Sequence, residues 1–413
     1  MMTRMPLALA AALLVAAPAR AAAPPAEIKI GTLYASSGRY ASISMPVHYG
    51  LKLWIDSVNA QGGPWVKAFN KRIPLKMVAY DDQSDTGTAA TLYNQLITQD
   101  KVDILVADSG SVLTSVAVPI ARDHKMLLID QTGTGANFFT ADNPYIVLCD
   151  IPVSSVWPKP LADFLSQQGP KLGIKRVSIL YSTNNFTGGM ASALKKFLAE
   201  ARAVEVVYDE GVPTETSSYT LLLNKVRASK PDAVVHFGYA PNDIAFLRNM
   251  QDGGIKFKAL FTIYSGLERE LLEKNVGPKA LEYLFTFVTA VDARYEGNFG
   301  MNTEQFKAAW NKAYGNSNVE FGYNSIAGYN TGLVLEKALA TANSLDQLEL
   351  RKAIFAQSGK LKTLDGAFEL DPTGAQIGLL TPIGQLVPEG GHLKLVTVSP
   401  PEGATAKPIY PRP

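Results

Sequence analysis

Apolar positions along the first third of the chain switch between two periods. Ile28 to Leu33 is a short run dominated by apolar and β-branched residues, which reads as a buried strand. After the polar loop Tyr34–Tyr40, the residues Val47, Leu51, Trp54, Ile55 and Val58 fall on one stripe. That spacing predicts a helix over about Met45–Asn59, stopped by Gly62-Gly63-Pro64. The alternation continues with a strand at Leu75–Tyr80, a helix at Thr88–Gln99, a strand at Ile104–Ala107 and a helix at Val112–Asp123. A strand at Met126–Ile129 then opens into Gln131-Thr132-Gly133-Thr134-Gly135. Strands alternating with helices at this spacing predict a parallel sheet with helices on both faces.

The pattern restarts at Arg176–Tyr181, with further strands at Val204–Tyr208, Ala233–Phe237 and Ala259–Thr262. Helices are expected between them at Met190–Arg202, Tyr219–Ala228 and Asn242–Gln251. From Thr303 the chain reads as helical, over Thr303–Tyr314, Ser325–Ala342 and Leu345–Ala356. Gly366 to Val398 alternates like short antiparallel strands, and Pro400–Pro413, with five prolines, is a tail either ordered by contact or loose. About 390 residues after the leader exceed what one core supports, so the expectation is an α/β protein of two doubly wound, Rossmann-like lobes.

The leader itself is an export signal. Arg4, the uncharged run Leu7–Ala17 and the small-x-small triplet Ala19-Arg20-Ala21 place cleavage near Ala21, so residues 1–21 are a signal peptide. The run is shorter than the roughly 20 residues a permanent span needs. No cysteine follows it, which argues against a lipid anchor. Removing Arg4 and Arg20 leaves 37 basic against 37 acidic residues from the original 39 and 37. A neutral chain argues against nucleic acid as a partner. The single cysteine, Cys149, has no internal disulfide partner and sits in the apolar run Tyr145–Cys149 as a packed small residue.

Catalytic and metal motifs are missing. The histidines at 48, 124, 236 and 392 are never within seventy positions of one another, and no metal-ligand spacing occurs, so no metal or cofactor is expected. No G-x-S-x-G follows a strand, and Phe138 replaces the third glycine that Gly133-Thr134-Gly135 would need for a dinucleotide loop. Asp81, Asp82 and Asp85 read as a solvated strand-end turn rather than a cation site. The chain reads as a binder and not as an enzyme.

What remains are loops at the carboxyl ends of the strands, where open α/β sheets bind ligands. They are Tyr34–Tyr40, Asp108–Ser111, Gln131–Gly135, Ser182–Gly189, Gly238-Tyr239 and Tyr264–Gly266. Their hydroxyl and N–H groups suit a carboxylate, and the rings of Tyr34, Phe186, Tyr239 and Tyr264 suit an apolar body.

At these residues the chain resembles the periplasmic leucine/isoleucine/valine-binding proteins, the solute-binding components of ABC importers. The resemblance runs from Glu27 to Val398. It is carried by Ile28-Lys29-Ile30-Gly31, by Gly50 through Asn59-Ala60-Gln61-Gly62-Gly63, and by Tyr80-Asp81-Asp82. The Ser-rich loop before Pro119, Gly238-Tyr239 and Asn249–Gly254 complete it. It implies a type I periplasmic binding fold: two lobes joined by a three-crossover hinge that closes over a ligand. Lobe I would comprise 27–148 and 288–356, and lobe II 149–287 and 357–399, with 400–413 as the tail. By position, Ser111, Thr132 and Thr134 would hold a ligand carboxylate, and Tyr34, Phe186 and Tyr239 would line the apolar part. The family's acid for a ligand ammonium appears here as Tyr264. Asp108, Asp130 and Asp150 are then substitutes for it or strand-end caps, and the ligand is a hydrophobic or branched-chain amino acid or an aromatic carboxylate without an ammonium. Arg39 is either a further positive partner or an exposed loop residue. The expected partners are a small molecule and an inner-membrane ABC permease, with the protein monomeric in the periplasm. The other role open to the fold is a ligand sensor that regulates a partner protein.

Overall fold

The computed structural model describes residues 23–293, 295–319 and 321–413. The expected signal peptide lies outside them. Among the described residues no helix is long and apolar enough to cross a membrane.

The first sheet comprises β1 (Ile28–Tyr34), β2 (Leu75–Asp81), β3 (Ile104–Val106), β4 (Leu128–Asp130) and β5 (Ile146–Leu148). All are parallel, in the order β2-β1-β3-β4-β5. The central strands are buried on both faces, which is why they read as apolar runs without alternation. The centre of the Tyr145–Cys149 run, read only as packed residues, is in fact the fifth strand. Cys149 is buried beside it.

The second sheet comprises β6 (Arg176–Ser182), β7 (Glu205–Val212), β8 (Ala233–Phe237), β9 (Leu260–Thr262), β10 (Phe285–Phe287), β11 (Ile383–Glu389) and β12 (His392–Ser399). Its order is β12-β11-β10-β9-β8-β6-β7, with β11 antiparallel to both its neighbours. Antiparallel structure expected from Gly366 onward is thus this hairpin, a two-residue pairing of Lys362-Thr363 with Gly366-Ala367, and a single bridge between Leu370 and Gln376. The tail is ordered by contact: Gln385 exchanges hydrogen bonds with Ile409 at 2.8 and 2.9 Å, and Arg412 N donates to Lys258 O at 2.7 Å.

In both sheets the first strand lies between the second and the third. Connections leave such a pair toward opposite sides and open a crevice at the strands' carboxyl ends. The crevices fall between β1 and β3 and between β6 and β8. The chain passes between the sheets after Leu148, after Phe287 and again before Ile383. One sequence expectation is corrected on the third passage. Residues 357–399 were assigned wholly to the second lobe, but Leu361, Leu364, Phe368 and Leu370 pack in the core under the first sheet. Their apolar spacing is too irregular to declare which sheet they cover.

The helices Ala41–Asn59 and Tyr323–Leu339 pack face to face on the first sheet. The contact is backbone on backbone. A Cβ on Gly328 would stand 1.9 Å from Val47 O, and one on Gly50 would stand 2.0 Å from Ser325 O. This close approach sets where the amino end of the Tyr323 helix points. The lobes are shut on one another, since Ala35, Tyr40, Ile43 and Leu113 belong to the same apolar cluster as Phe186, Tyr239 and Tyr264.

Candidate functional site

Each crevice is held open by buried polar side chains that satisfy loop backbone. In the first lobe Ser44 Oγ accepts from Ala35 N at 2.8 Å and donates to Asp108 Oδ1 at 2.5 Å, tying the loop after β1 to the loop after β3. Gly110, at φ 81°, turns the chain into the helix Ser111–Asp123. Its N–H donates to Thr132 Oγ1 at 2.9 Å, and Asp130 Oδ1 accepts from Gly133 N at 2.7 Å. In the second lobe Asn184 Oδ1 accepts from the amides of Phe186 and Thr187 at 3.0 Å, which fixes the Phe186 ring. Asp243 joins two strands' ends by facing His236 Nδ1 at 2.6 Å and accepting from Tyr264 N at 2.9 Å.

Where the crevices meet there is a cavity of about 330 Å³, part of it open to solvent. That volume includes open solvent; only about 30 Å³ of it accepts a water-sized sphere, so a ring enters only as the lobes part. The first lobe contributes Ile43, Gly110 and Thr132; the second contributes Phe186, Tyr239, Tyr264 and Leu267. Ile151 and Trp157 enter from the first passage between lobes, and Tyr323 and Asn324 from the start of their helix. The rings adjoin: Trp157 and Phe186 at 5.3 Å, Phe186 and Tyr239 at 5.6 Å, Tyr239 and Tyr264 at 6.0 Å between centroids. None of the described lining residues is charged.

Three polar atoms of lining residues are buried without a hydrogen-bond partner, Tyr239 Oη, Trp157 Nε1 and Tyr323 Oη, and so is Ser111 Oγ, on the residue after the lining Gly110. Tyr239 Oη lies within reach of the amides of Ser111 and Val112, which pull its pKa down against the larger effect of burial. Burial pushes the Tyr239, Tyr264 and Tyr323 hydroxyls well above the usual tyrosine range, so each remains a neutral donor. Two helix-terminal amides, a serine hydroxyl and a tyrosine hydroxyl around one spot can share the charge of a carboxylate, with the helix dipole adding to them.

Thr132, Phe186, Tyr239 and Tyr264 therefore line the cavity, and Ser111 adjoins it through Gly110. Thr134 is buried and absent from the lining; its carbonyl accepts from Ser154 N at 2.8 Å, and its Oγ1, like Ser111 Oγ, has no partner. Tyr34 does not line the cavity either; its ring tilts on His48 at 4.6 Å. Sequence reasoning passed over Ile43, Trp157, Tyr323 and Asn324. Trp157, between Val156 and Pro158, lies in a passage with no period to read, and Tyr323-Asn324 fell just outside the helix expected from Ser325.

The three aspartates weighed as ammonium partners are all occupied elsewhere, and none lines the cavity. Asp130 caps its own loop. Asp108 lies against Asp82 and Asp150 against Asp365; burial raises all four carboxyls above the ordinary range, and the partner's charge raises Asp108 and Asp365 further. Asp82 is thus buried, where a solvated turn was expected, though like Asp81 and Asp85 it keeps a turn role, its Oδ1 accepting from Ser84 N at 2.9 Å. Among the described residues no group of three acids, histidines or cysteines could hold a metal. Glu268 is the acid at the rim: it accepts from Asn324 Nδ2 at 3.4 Å, and its charge raises Tyr264.

A model of the family described as periplasmic binding protein matches residues 27–384. Leu/Ile/Val-binding protein homolog 7 of Brucella abortus is 24% identical over 407 residues, which cover 96% of this chain and 97% of that one. Among solved structures, the LivJ substrate-binding protein of Streptococcus pneumoniae in complex with isoleucine superposes with a TM-score of 0.71 at 20% identity, covering 90% of this chain and 99% of its own. An ABC transporter solute-binding protein of R. palustris in complex with benzoate gives 0.70 at 21%, covering 90% and 96%.

Proposed function

The chain belongs to the periplasmic binding protein family, and we propose that it is the exported solute-binding component of an ABC importer whose two lobes close over an aromatic carboxylate. Its family and fold are those of solute-binding proteins. The observation that carries the choice of ligand is the lining: adjoining rings, no charged described residue, and unpaired donors gathered at the amino end of the Ser111 helix. An ammonium brought into such a cavity without an ionic partner would cost several kcal/mol. A plain aromatic acid would stack on Phe186 and Tyr239 and accept from Ser111 and the Tyr239 hydroxyl. The closed lobes fit capture by hinge motion, in which contacts from both sides form only on closure. Delivery to a permease follows from the family role.

A second reading, with a branched-chain or other hydrophobic amino acid as ligand, has one observation in its favour. Glu268 at the rim is one turn from Tyr264.

A thermal-shift and calorimetric panel tests both. Benzoate and related ring acids are expected to raise the melting midpoint, and leucine, isoleucine and phenylalanine to leave it in place. Stabilisation by the amino acids alone, abolished in Glu268→Gln, would overturn the aromatic-acid reading. Ser111→Ala is expected to weaken benzoate by about 1.5–3 kcal/mol, the contribution of a hydrogen bond to a charged group. An unchanged dissociation constant would remove Ser111 from the site. Tyr264→Glu is expected to reverse the ligand preference, weakening benzoate and admitting phenylalanine. Retained preference would mean that residue 264 does not govern the ammonium position.

A further inference from the structure

The carboxylate end accounts for only some of the unpartnered donors at the cavity. Ser111 Oγ and Tyr239 Oη belong there. Trp157 Nε1 and Tyr323 Oη do not: they come from the first interlobe passage and from the start of the Tyr323–Leu339 helix, elements that carry none of the carboxylate donors. Trp157 is 2% exposed and Tyr323 is 5% exposed, so bulk water does not satisfy them. An indole N–H is a donor only, so its absent partner is an acceptor. Burial first, and then the nearby Asp365, Asp150 and Tyr264, hold the Tyr323 hydroxyl neutral and able to donate, yet it bonds to none of them. Phenylalanine in place of Tyr323 would supply the same ring surface without a buried unpaired group. Buried donors are rarely left unmade in native proteins.

We propose that Trp157 Nε1 and Tyr323 Oη form a second polar pole of the cavity, and that the ligand carries, besides its carboxylate, an uncharged hydrogen-bond acceptor on its ring. A ring carbonyl, ether or hydroxyl meets that description. The inference rests on the aromatic-carboxylate reading and sharpens it: the protein selects oxygen-substituted ring acids over their hydrocarbon counterparts. A site built to hydrogen-bond a substituent rejects the analogue that lacks it, because its own donors are then left buried and unpaired.

The test compares two acids of nearly equal shape, 4-acetylbenzoate and 4-isopropenylbenzoate, together with their 3-substituted isomers and benzoate itself. Dissociation constants are measured by calorimetry on the whole mature protein and on the variants Tyr323→Phe and Trp157→Phe. The expected result is that the acetyl acid of at least one isomer pair binds ten-fold or more tightly than its hydrocarbon counterpart. In Tyr323→Phe or Trp157→Phe that ratio is expected to fall to about two or below. The ratio is the readout, since any change in ring packing acts on both acids alike. A ratio near one in the parent protein, with the acids binding, would overturn the second pole and leave the aromatic-carboxylate reading standing. A high ratio that neither variant lowers would overturn the assignment to these two residues. If none of the ring acids binds while amino acids do, the reading beneath the inference falls and the inference with it.

Discussion

Gly328→Val is expected to lower the unfolding free energy by about 3 kcal/mol, at the upper end of what overpacking costs. The added Cβ would stand 1.9 Å from Val47 O and 2.7 Å from Leu51 N, both backbone atoms of the opposite helix. No side chain there can turn aside, so the helices must separate, and Gly50 offers no slack because it makes the reciprocal contact with Ser325 O at 2.0 Å. The effect reaches the site as well. The displaced helix carries Tyr323 and Asn324, so ligand affinity is expected to fall along with stability. Urea unfolding followed by circular dichroism measures the first effect, with Gly403→Ala, whose Cβ meets nothing within 4 Å, as the near-neutral control. Equal midpoints for the two variants would contradict the helix contact.

Stability is also expected to fall by about 3 kcal/mol between pH 4 and pH 8 through Asp150, with Asp365 adding to the fall in the same direction. Asn330 Nδ2 donates to Asp150 Oδ1 at 2.8 Å and to Asp365 Oδ2 at 2.9 Å. The other oxygens, Asp150 Oδ2 and Asp365 Oδ1, have no donor, so the carboxyls join only through a shared proton. Burial is the largest cause and pushes Asp150 up to about 6; Asp365 is raised further above the ordinary range by burial and by the Asp150 charge. The described titratable groups facing the pair are the Tyr323 and Tyr295 hydroxyls and the Cys149 thiol, all neutral in this range. Because the folded values lie above the unfolded value of about 3.9, the folded state holds the extra proton. The stabilisation is complete below about pH 4 and is lost as pH rises through the folded values. In Asp365→Asn the amide donates to Asp150 without needing a proton, so the part of the slope that Asp365 carries is expected to vanish, while burial keeps the part carried by Asp150. The Asp82–Asp108 pair titrates in the same direction and is untouched by that change. Urea unfolding at pH 5 and pH 8 decides it: an Asp365→Asn variant with the full parental slope would show that the pair does not carry a shared proton.

These carboxyl pairs mark where one-dimensional reading ends. Asp82 and Asp108, like Asp150 and Asp365, are far apart in the chain, and each alone looks like a turn or cap residue. Their burial and mutual contact are set by strand order and by the third passage between lobes. The fifth strand was hidden in the same way, since three buried residues carry too short a period to name. Trp157 and Tyr323 were missed because neither the passage nor a helix start has an amphipathic stripe.

The chain's own pattern was sufficient for the two α/β lobes and for the edge on which ligand groups gather. Thr132, Phe186, Tyr239 and Tyr264 line the cavity because strand-end loops face the crevice wherever strand order turns back, a rule that needs only the succession of elements. Which loops actually meet was decided by the closed approach of the lobes, which left Tyr34 and Thr134 outside the lining and brought in Trp157 and Tyr323. Periodicity records how each element faces its own sheet. Contact between lobes depends on the hinge and on backbone-tight packing such as that at Gly328, and those distances have no signature in the order of residues along the chain.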